Sequence, residues 1–357
     1  MSDTVSIKEL IMQQFKMYPR MKIQDVVKLL YQNEFAGGHL ISDVPLSLAH
    51  MQKEITEFDK SLSGAGKNLY EGIGNNLCRL NLSEARKTDI RLQTVNQFFV
   101  STANSISGTI PHFAHNLAVF RQICFEKDLP FPIQEVDDFL IHYQNEGYPQ
   151  VGHSEEYRLT YNPSYRVIKT EYMRFFEIFC AIDSLFKGKD TACIAIDGNS
   201  GAGKSSLASL ISEIYESNIY HMDHFFLQNE QKTRERLEEI GGNVDYVRFR
   251  DEVIAGIESG KEHQYQIYNC KEMSMKKSAW VMPQRLSIIE GSYSMHPTLA
   301  CHYDLKIFLR LDEREQIQRI LKRDGALMQE RFKKEWIPME NRYFSNMKIM
   351  EQCDLVY

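Results

Sequence analysis

The chain has 357 residues, of which 43% are hydrophobic and 25% charged, with 42 basic against 48 acidic side chains. This composition is typical of a globular protein, and the length exceeds what one hydrophobic core usually supports, so we expect two domains. The net charge of −6 provides no general attraction to nucleic acid or to an anionic membrane.

The residues up to about 188 predict a mainly α-helical domain. Apolar residues recur at spacings of three and four over 7–15, 22–35 and 46–58. Pro111 opens a further helical segment, and Pro130 and Pro132 end it before another over 133–147. An irregular patch over 148–167 and a helical segment over 169–189 complete this half.

The irregular patch concentrates polar aromatic and basic side chains, namely His153, Tyr157, Arg158, Tyr161, Asn162, Tyr165 and Arg166. Two arginines among tyrosines could form a pocket for an anion or for a stacked ring. The same residues could pack as a buried tyrosine network. The sequence leaves both interpretations open.

From residue 189 the pattern changes to short apolar runs that alternate with polar-faced helical stretches. The runs are 192–197, 217–223, 286–291, 303–311 and 353–357. Strands separated by helices are typical of a parallel sheet covered on both faces. We therefore predict a helical domain over 1–188 and an α/β domain with a parallel sheet over 189–357.

A phosphate-binding loop follows the first of these runs. Its residues are Gly198, Asn199, Ser200, Gly201, Ala202, Gly203, Lys204, Ser205 and the adjoining Ser206. They match GxxxxGK followed by Ser or Thr, between a buried-strand pattern and an amphipathic helix, as this motif requires. The glycines let backbone N–H groups surround the phosphates, Lys204 reaches the β- and γ-phosphates, and the Ser205 hydroxyl ligates Mg²⁺. The sequence thus predicts a site for ATP and Mg²⁺.

Two acids lie at the carboxyl ends of apolar runs of the predicted sheet. Asp223 is the last residue of the run at 217–223, and Glu290 and Gly291 end the run at 286–291. Residues just beyond the carboxyl ends of parallel strands surround the ligand crevice of such sheets. We expect both acids to face the phosphate loop.

Over about residues 190–357 the chain resembles the uridine kinase and phosphoribulokinase-like P-loop kinases. The resemblance rests on MDHFF around Asp223, on Asn243-Val244-Asp245, on the segment around Tyr268, on IIEGS around Glu290, and on a basic helix after the run at 303–311. It implies that Asp223 is the general base and that Glu290 lies near Mg²⁺. It also implies that Asp245 holds sugar hydroxyls, that Tyr268 contacts a base, and that the basic helix is a lid. The lid candidates are Arg319, Lys322 and Arg323.

The chain departs from that family where the nucleobase is recognised. The family's His and Arg shortly after the base-contacting Tyr are absent after Tyr268, and no proline precedes Ile267. The machinery for phosphoryl transfer matches and the machinery for specificity does not. Uridine itself is therefore not the expected acceptor.

These observations predict an ATP- and Mg²⁺-dependent phosphotransferase, similar to a nucleoside kinase, that acts on a hydroxyl of a small molecule. The expected partners are a nucleoside triphosphate and that acceptor, without nucleic acid or membrane, and a homo-oligomer is left open. The alternative is a regulatory switch in which ATP reorients the helical domain. A nucleic-acid-binding ATPase is disfavoured by the acidic balance.

Cysteine usage and the amino terminus bear on the compartment. Seven cysteines are scattered singly, without a CxxC pair, and the first residues lack a signal-peptide pattern. These features predict reduced thiols in a cytoplasmic protein.

Overall fold

The structure is a computed structural model that describes residues 6–37, 40–58, 68–269 and 272–357. The chain divides into two compact units, residues 1–180 and 181–357. The division falls inside the helix Phe176–Leu185, while the domain boundary at residue 188 stays a prediction. Six cysteines are free thiols, and Cys270 lies outside the described residues.

The amino-terminal unit is mainly helical, as predicted. Its helices are α1 Ile7–Met17, α2 Ile23–Phe35, α3 Val44–Phe58, α4 Leu82–Ala85, α5 Leu92–Ser105, α6 Ile110–Phe125, α7 Ile133–Asn145, α8 Glu155–Tyr161, α9 Thr170–Arg174 and α10 Phe176–Leu185. Local signals set several helix ends. The Ser6 hydroxyl accepts the Glu9 N–H at the start of α1, and Pro111 occupies the first turn of α6.

The amino-terminal unit also contains a small antiparallel sheet that the sequence pattern did not predict. Its strands are β1 Tyr70–Gly74, β2 Leu77–Asn81 and β3 Tyr165–Lys169, in the order β1-β2-β3. Asn75 and Asn76 join β1 to β2 with φ values of 51° and 56°, a conformation that Asn tolerates in tight hairpins. β3 pairs with β2 from far along the chain, so local periodicity carries little sign of this sheet.

The polar aromatic cluster of the irregular patch contributes to a buried network in this unit. The His153 ring stacks on Tyr157 with 4.1 Å between ring centroids. Its two ring nitrogens lie 2.9 Å from the Asp25 carboxylate and 2.6 Å from the Tyr165 hydroxyl. Burial lowers the pKa of His153 to about 4, so the imidazole is neutral near pH 7. These contacts are those of the buried tyrosine network, whereas Arg158 is exposed.

The carboxy-terminal unit alternates strands and helices. Its strands are β4 Ala192–Gly198, β5 Ser217–His221, β6 Gln266–Asn269, β7 Ser274–Lys277, β8 Leu286–Glu290, β9 Leu305–Leu309 and β10 Leu355–Val356. Its α-helices are α11 Lys204–Ser212, α12 Arg234–Glu238, α13 Tyr246–Phe249, α14 Ala255–Ser259, α15 Pro297–Ala300, α16 Glu313–Arg331 and α17 Ile337–Asn346. Single 3₁₀ turns occupy Met222–Phe225, Asn229–Gln231 and Met350–Gln352, and π-helical turns occupy Arg250–Ile254 and Phe332–Trp336.

Five of these strands form the predicted parallel sheet, in the order β10-β9-β4-β8-β5. All seven residues of β4 are buried, which suits a strand at the centre of a covered sheet. The order places the carboxyl end of β4 between those of β8 and β9. Among the described residues, no helix has the length and apolar character needed to cross a lipid bilayer.

Candidate active site

The phosphate loop leaves the carboxyl end of β4 and enters α11 at Lys204. Gly198, Gly201 and Gly203 have φ values of 137°, 79° and 99°, which disfavour any residue with a Cβ. At Gly198 the restriction is also one of space, because an added Cβ would lie 2.1 Å from the Leu309 carbonyl oxygen on β9. The local sequence therefore dictates the loop, since only glycine fits this close approach to the next strand.

Lys204 is directed into the loop. Its Nζ donates to the carbonyl oxygens of Gly198 at 2.8 Å and Asn199 at 3.0 Å, and lies 3.3 Å from the Ser292 hydroxyl. The side chain is only 9% exposed, so its charge is held by protein acceptors close to the predicted phosphate position. Ser206, the residue after Ser205, is exposed.

The next pair joins α11 to β8. The Ser205 hydroxyl donates to the Glu290 carboxylate at 3.1 Å, and Glu290 is 6% exposed. Hydroxyl and carboxylate oxygens are ligands that Mg²⁺ accepts, usually with water and substrate phosphates in the remaining positions. No group of three or more His, Cys, Asp or Glu side chains forms a metal site within the described residues. The donor set is therefore compatible with a magnesium ion that arrives with its phosphates.

β5 brings a histidine and an aspartate to the same edge. His221 lies opposite Glu290 in the parallel register, and its Nδ1 contacts the Glu290 carboxylate. That hydrogen bond raises the pKa of His221. Asp223 follows in the 3₁₀ turn, two residues beyond the end of β5.

The Asp223 carboxyl is open to solvent but crowded by protein atoms. Loss of water contacts raises its pKa, and the negative charge of Glu290 raises it further, while the positive charges of Lys204, His221 and Arg323 oppose that rise. These influences show that Asp223 shares one electrostatic environment with Lys204, Glu290 and Arg323. The structure thus brings the two predicted acids together with the phosphate loop.

Asp245 and Tyr268 lie beside the turn that carries Asp223. The Asp245 N–H donates to the Phe225 carbonyl at 2.7 Å, and β6, which contains Tyr268, packs against the same turn. Both residues are buried. The Asp245 carboxylate caps α13 by accepting the Arg248 N–H at 3.1 Å, and it also accepts the Gln231 amide at 3.0 Å. In this structure its oxygens are engaged by the protein.

The basic helix is α16, and its three lid candidates differ in their contacts. Arg319 donates to the Gly201 carbonyl at 3.2 Å, which ties α16 to the phosphate loop. Arg323 forms an ion pair with Asp324, and its positive charge also lowers the pKa of Asp223. Lys322 is exposed. The helix is interrupted at Gly325, where φ is 82° and ψ is 171°.

Several residues of this edge were not predicted from the sequence. They are Asp197, His221, Ser292, Glu340 and Tyr343. Asp197 is fully buried and accepts the N–H groups of Gly198 and Met295 and the Tyr343 hydroxyl. Burial raises its pKa to about 6. Asp197, His221 and Ser292 lie within two residues of predicted site residues, and this proximity is the sequence signal that could have found them.

A cavity of about 280 Å³ lies elsewhere in this unit. Its lining includes Ala192, Ser287 and Asn218, which occupy the amino-terminal ends of three sheet strands. The phosphate loop is at the opposite, carboxyl-terminal edge of the sheet. This cavity is therefore separate from the edge where the loop and the acids meet.

Comparison with known proteins identifies the loop-bearing part of the chain. Residues 193–332 match the model of the Phosphoribulokinase / Uridine kinase family. No curated protein matches the chain. Similar solved structures include a possible uridine kinase from Bacillus stearothermophilus, 16% identical, which covers 52% of this chain and 99% of that one at a TM-score of 0.40. Another is deoxyadenosine kinase from M. mycoides with bound dATP, 15% identical, covering 46% of this chain and 90% of that one at a TM-score of 0.24. The resemblance stated from the motifs is confirmed by the family match, and residues 193–332 carry the P-loop kinase fold of the phosphoribulokinase and uridine kinase family.

Proposed function

We propose that the carboxy-terminal unit transfers the γ-phosphoryl group of ATP to a hydroxyl of a small molecule, with Mg²⁺ as the cofactor. The observation that carries this proposal is the meeting of a complete phosphate loop with Asp223 and Glu290 at one edge of the sheet. A nucleotide switch needs the loop and a metal ligand, but it has no use for a carboxylate beside the acceptor. Asp223 therefore favours catalysis over switching.

The loop residues would hold the triphosphate. Backbone N–H groups over Gly201–Ser205 and the amino terminus of α11 supply positive potential for the phosphates. Lys204 would exchange its bonds to the Gly198 and Asn199 carbonyls for bonds to the β- and γ-phosphates.

Ser205 and Glu290 would hold the metal ion. Bound Mg²⁺ supplies charge neutralisation for the phosphate oxygens during transfer. His221 contacts the other carboxylate oxygen of Glu290, so it fixes the orientation of that ligand. A positioned ligand of this kind keeps one oxygen directed at Ser205.

Asp223 would accept the proton of the acceptor hydroxyl. Its raised pKa makes it a better base than an ordinary carboxylate. Arg319 and Arg323 on α16 would neutralise charge on the moving phosphoryl group, as a lid does. The contact of Arg319 with the loop supports that role.

The acceptor would bind beside Asp223, against Asp245 and Tyr268. Asp245 would accept the acceptor hydroxyl either in place of the Gln231 amide or at a lone-pair position that its present donors leave open. The residues by which the family recognises uridine are missing after Tyr268. We therefore propose a hydroxylated acceptor other than uridine, and a cytoplasmic location where ATP and Mg²⁺ are supplied.

Asp223→Asn separates this function from the switch alternative. The substitution keeps the size of the side chain and removes its ability to accept a proton, so kcat with a working acceptor should fall by about 10²–10⁴-fold. ATP affinity, measured by calorimetry, should stay unchanged, because no attractive contact with the phosphates is lost. Full transfer by the variant would exclude Asp223 as the base, and a loss of ATP binding would assign it to the magnesium shell.

A further inference from the structure

Helix α17 places one buried glutamate against the phosphate loop. Glu340 is 3% exposed, and its carboxylate accepts the Ser200 N–H at 3.1 Å and the Ser200 hydroxyl. It also accepts the Ser292 hydroxyl at 2.8 Å and the Gln316 amide at 3.4 Å. A carboxylate offers about four lone-pair positions, so these donors fill it.

Ser292 links this carboxylate to Lys204. Its hydroxyl has one proton, which Glu340 at 2.8 Å attracts more strongly than the Gly198 carbonyl at 3.2 Å. The Ser292 oxygen is then free to accept from the Lys204 ammonium at 3.3 Å. Glu340 therefore orients the hydroxyl that faces the lysine.

Helix α17 also contacts Asp197, the residue that precedes the loop. Tyr343 follows Glu340 by three positions, and its hydroxyl donates to Asp197 at 2.9 Å. Residues three apart share one face of a helix, so α17 contacts both the end of β4 and the first part of the loop. Glu340 and Tyr343 thus fix the backbone on either side of Gly198.

The charge of Glu340 argues for a role in loop geometry. A buried carboxylate close to a triphosphate repels it, so this position disfavours ATP unless the carboxylate serves another purpose. We propose that Glu340 is a positioning residue: it fixes Ser200 and Ser292, and through Ser292 it directs Lys204. The inference rests on the proposed function because it takes ATP as the ligand. Its effect on ATP binding can be measured without any phosphoryl transfer.

The first test is Glu340→Gln in the full chain. Glutamine keeps the length of the side chain and one accepting oxygen, but its NH₂ group cannot accept from a serine hydroxyl. We expect the loss of one charge-assisted hydrogen bond to outweigh the relief of that charge repulsion, so the Kd for ATP with Mg²⁺ should rise about tenfold and kcat should fall as well. Glu335→Gln is the matched control, because Glu335 is exposed and forms a surface ion pair with Arg331. Its Kd should stay at the wild-type value.

The second test is a double-mutant cycle with Ser292→Ala, read out by calorimetry with ATP and Mg²⁺ and no acceptor. If Glu340 acts through Ser292, the double variant should bind ATP about as weakly as the weaker single variant. Independent, multiplied effects would overturn the link through Ser292. If Glu340→Gln fails to fold, the Kd for ATP of Ser292→Ala tests the inference instead. This variant should fold, because it removes only one hydroxyl from a half-buried position.

Unchanged ATP affinity in folded Glu340→Gln and Ser292→Ala would overturn the inference. A wild-type protein that binds ATP but phosphorylates nothing would instead overturn the proposed function. The two failures are therefore distinguishable in separate measurements.

Discussion

Asp223 is surrounded by charges of both signs. Burial by protein atoms and the Glu290 charge raise its pKa, and three nearby cations oppose them. The balance matters because a base must be deprotonated to work and is more effective the higher its pKa. The net direction is upward, which is the direction that strengthens a general base.

This environment predicts the acid limb of the pH–rate profile. Below its raised pKa, Asp223 is protonated and cannot act, so kcat should fall as the pH decreases through that value. Glu290→Gln removes a negative neighbour and should move the limb to lower pH, besides slowing the reaction. The measurement is kcat against pH at saturating ATP, with Glu258→Gln as the control, since Glu258 lines the separate cavity. If the acid limb of the pH–rate profile stays at the wild-type pH in Glu290→Gln, the Glu290 charge does not raise the pKa of the catalytic base.

Lys204 provides a second prediction for a single residue. Lys204→Ala should raise the Kd for ATP by about 10–100-fold, because one or two charge-assisted hydrogen bonds to phosphate are lost. Turnover should disappear while the fold persists. Lys348→Ala is the control, because the Lys348 side chain is 70% exposed and pairs with Glu351. A wild-type Kd for ATP in folded Lys204→Ala would contradict the prediction that the loop binds the phosphates of ATP.

At the scale of elements, the loop depends on how closely β4 approaches β9. Gly198 leaves no room for a Cβ beside the Leu309 carbonyl, and its φ of 137° excludes most other residues. Gly198→Ala should therefore displace the loop, cost about 1–3 kcal/mol of stability and abolish ATP binding. Gly188→Ala, where an added Cβ meets nothing within 4 Å, should leave both unchanged. Thermal unfolding and calorimetry measure these outcomes, and wild-type ATP binding by Gly198→Ala would refute the steric argument.

What the sequence could predict also follows from the elements. Motifs within a few residues of one another identified the strand, loop and helix around Lys204, and apolar runs identified the five parallel strands. Glu340, by contrast, reaches Ser200 across 140 positions of the chain, and nothing local marks it. The pairing of β3 with β2 was missed for the same reason, because it depends on tertiary contacts.

At the scale of the whole molecule, the position of the domain boundary is open to a direct test. Several contacts of the carboxy-terminal unit involve residues before 189, and they include one hydrogen bond and one cation–π contact. The Tyr215 hydroxyl donates to Asp183 at 3.1 Å, and the Arg285 guanidinium lies 4.4 Å from the Phe186 ring centroid. A fragment that begins at residue 181 keeps both contacts, and one that begins at 189 loses them.

The fragment from 181 should therefore be the more stable by at least about 1–3 kcal/mol, the contribution of the hydrogen bond and the cation–π contact alone. Denaturant unfolding of the two fragments measures the difference. Equal stabilities would support the predicted boundary at residue 188, and a more stable shorter fragment would contradict the importance of these contacts.

The central claim is that this protein phosphorylates a small hydroxylated molecule. The most direct test incubates the full chain with ATP, Mg²⁺ and pools of nucleosides, sugars and vitamins, and identifies the products by mass spectrometry. We predict that one compound other than uridine or cytidine gains a phosphoryl group while ADP forms, and that Lys204→Ala yields none. Efficient phosphorylation of uridine would contradict the assigned specificity, and ATP binding without a phosphorylated product in any pool would contradict the kinase function itself.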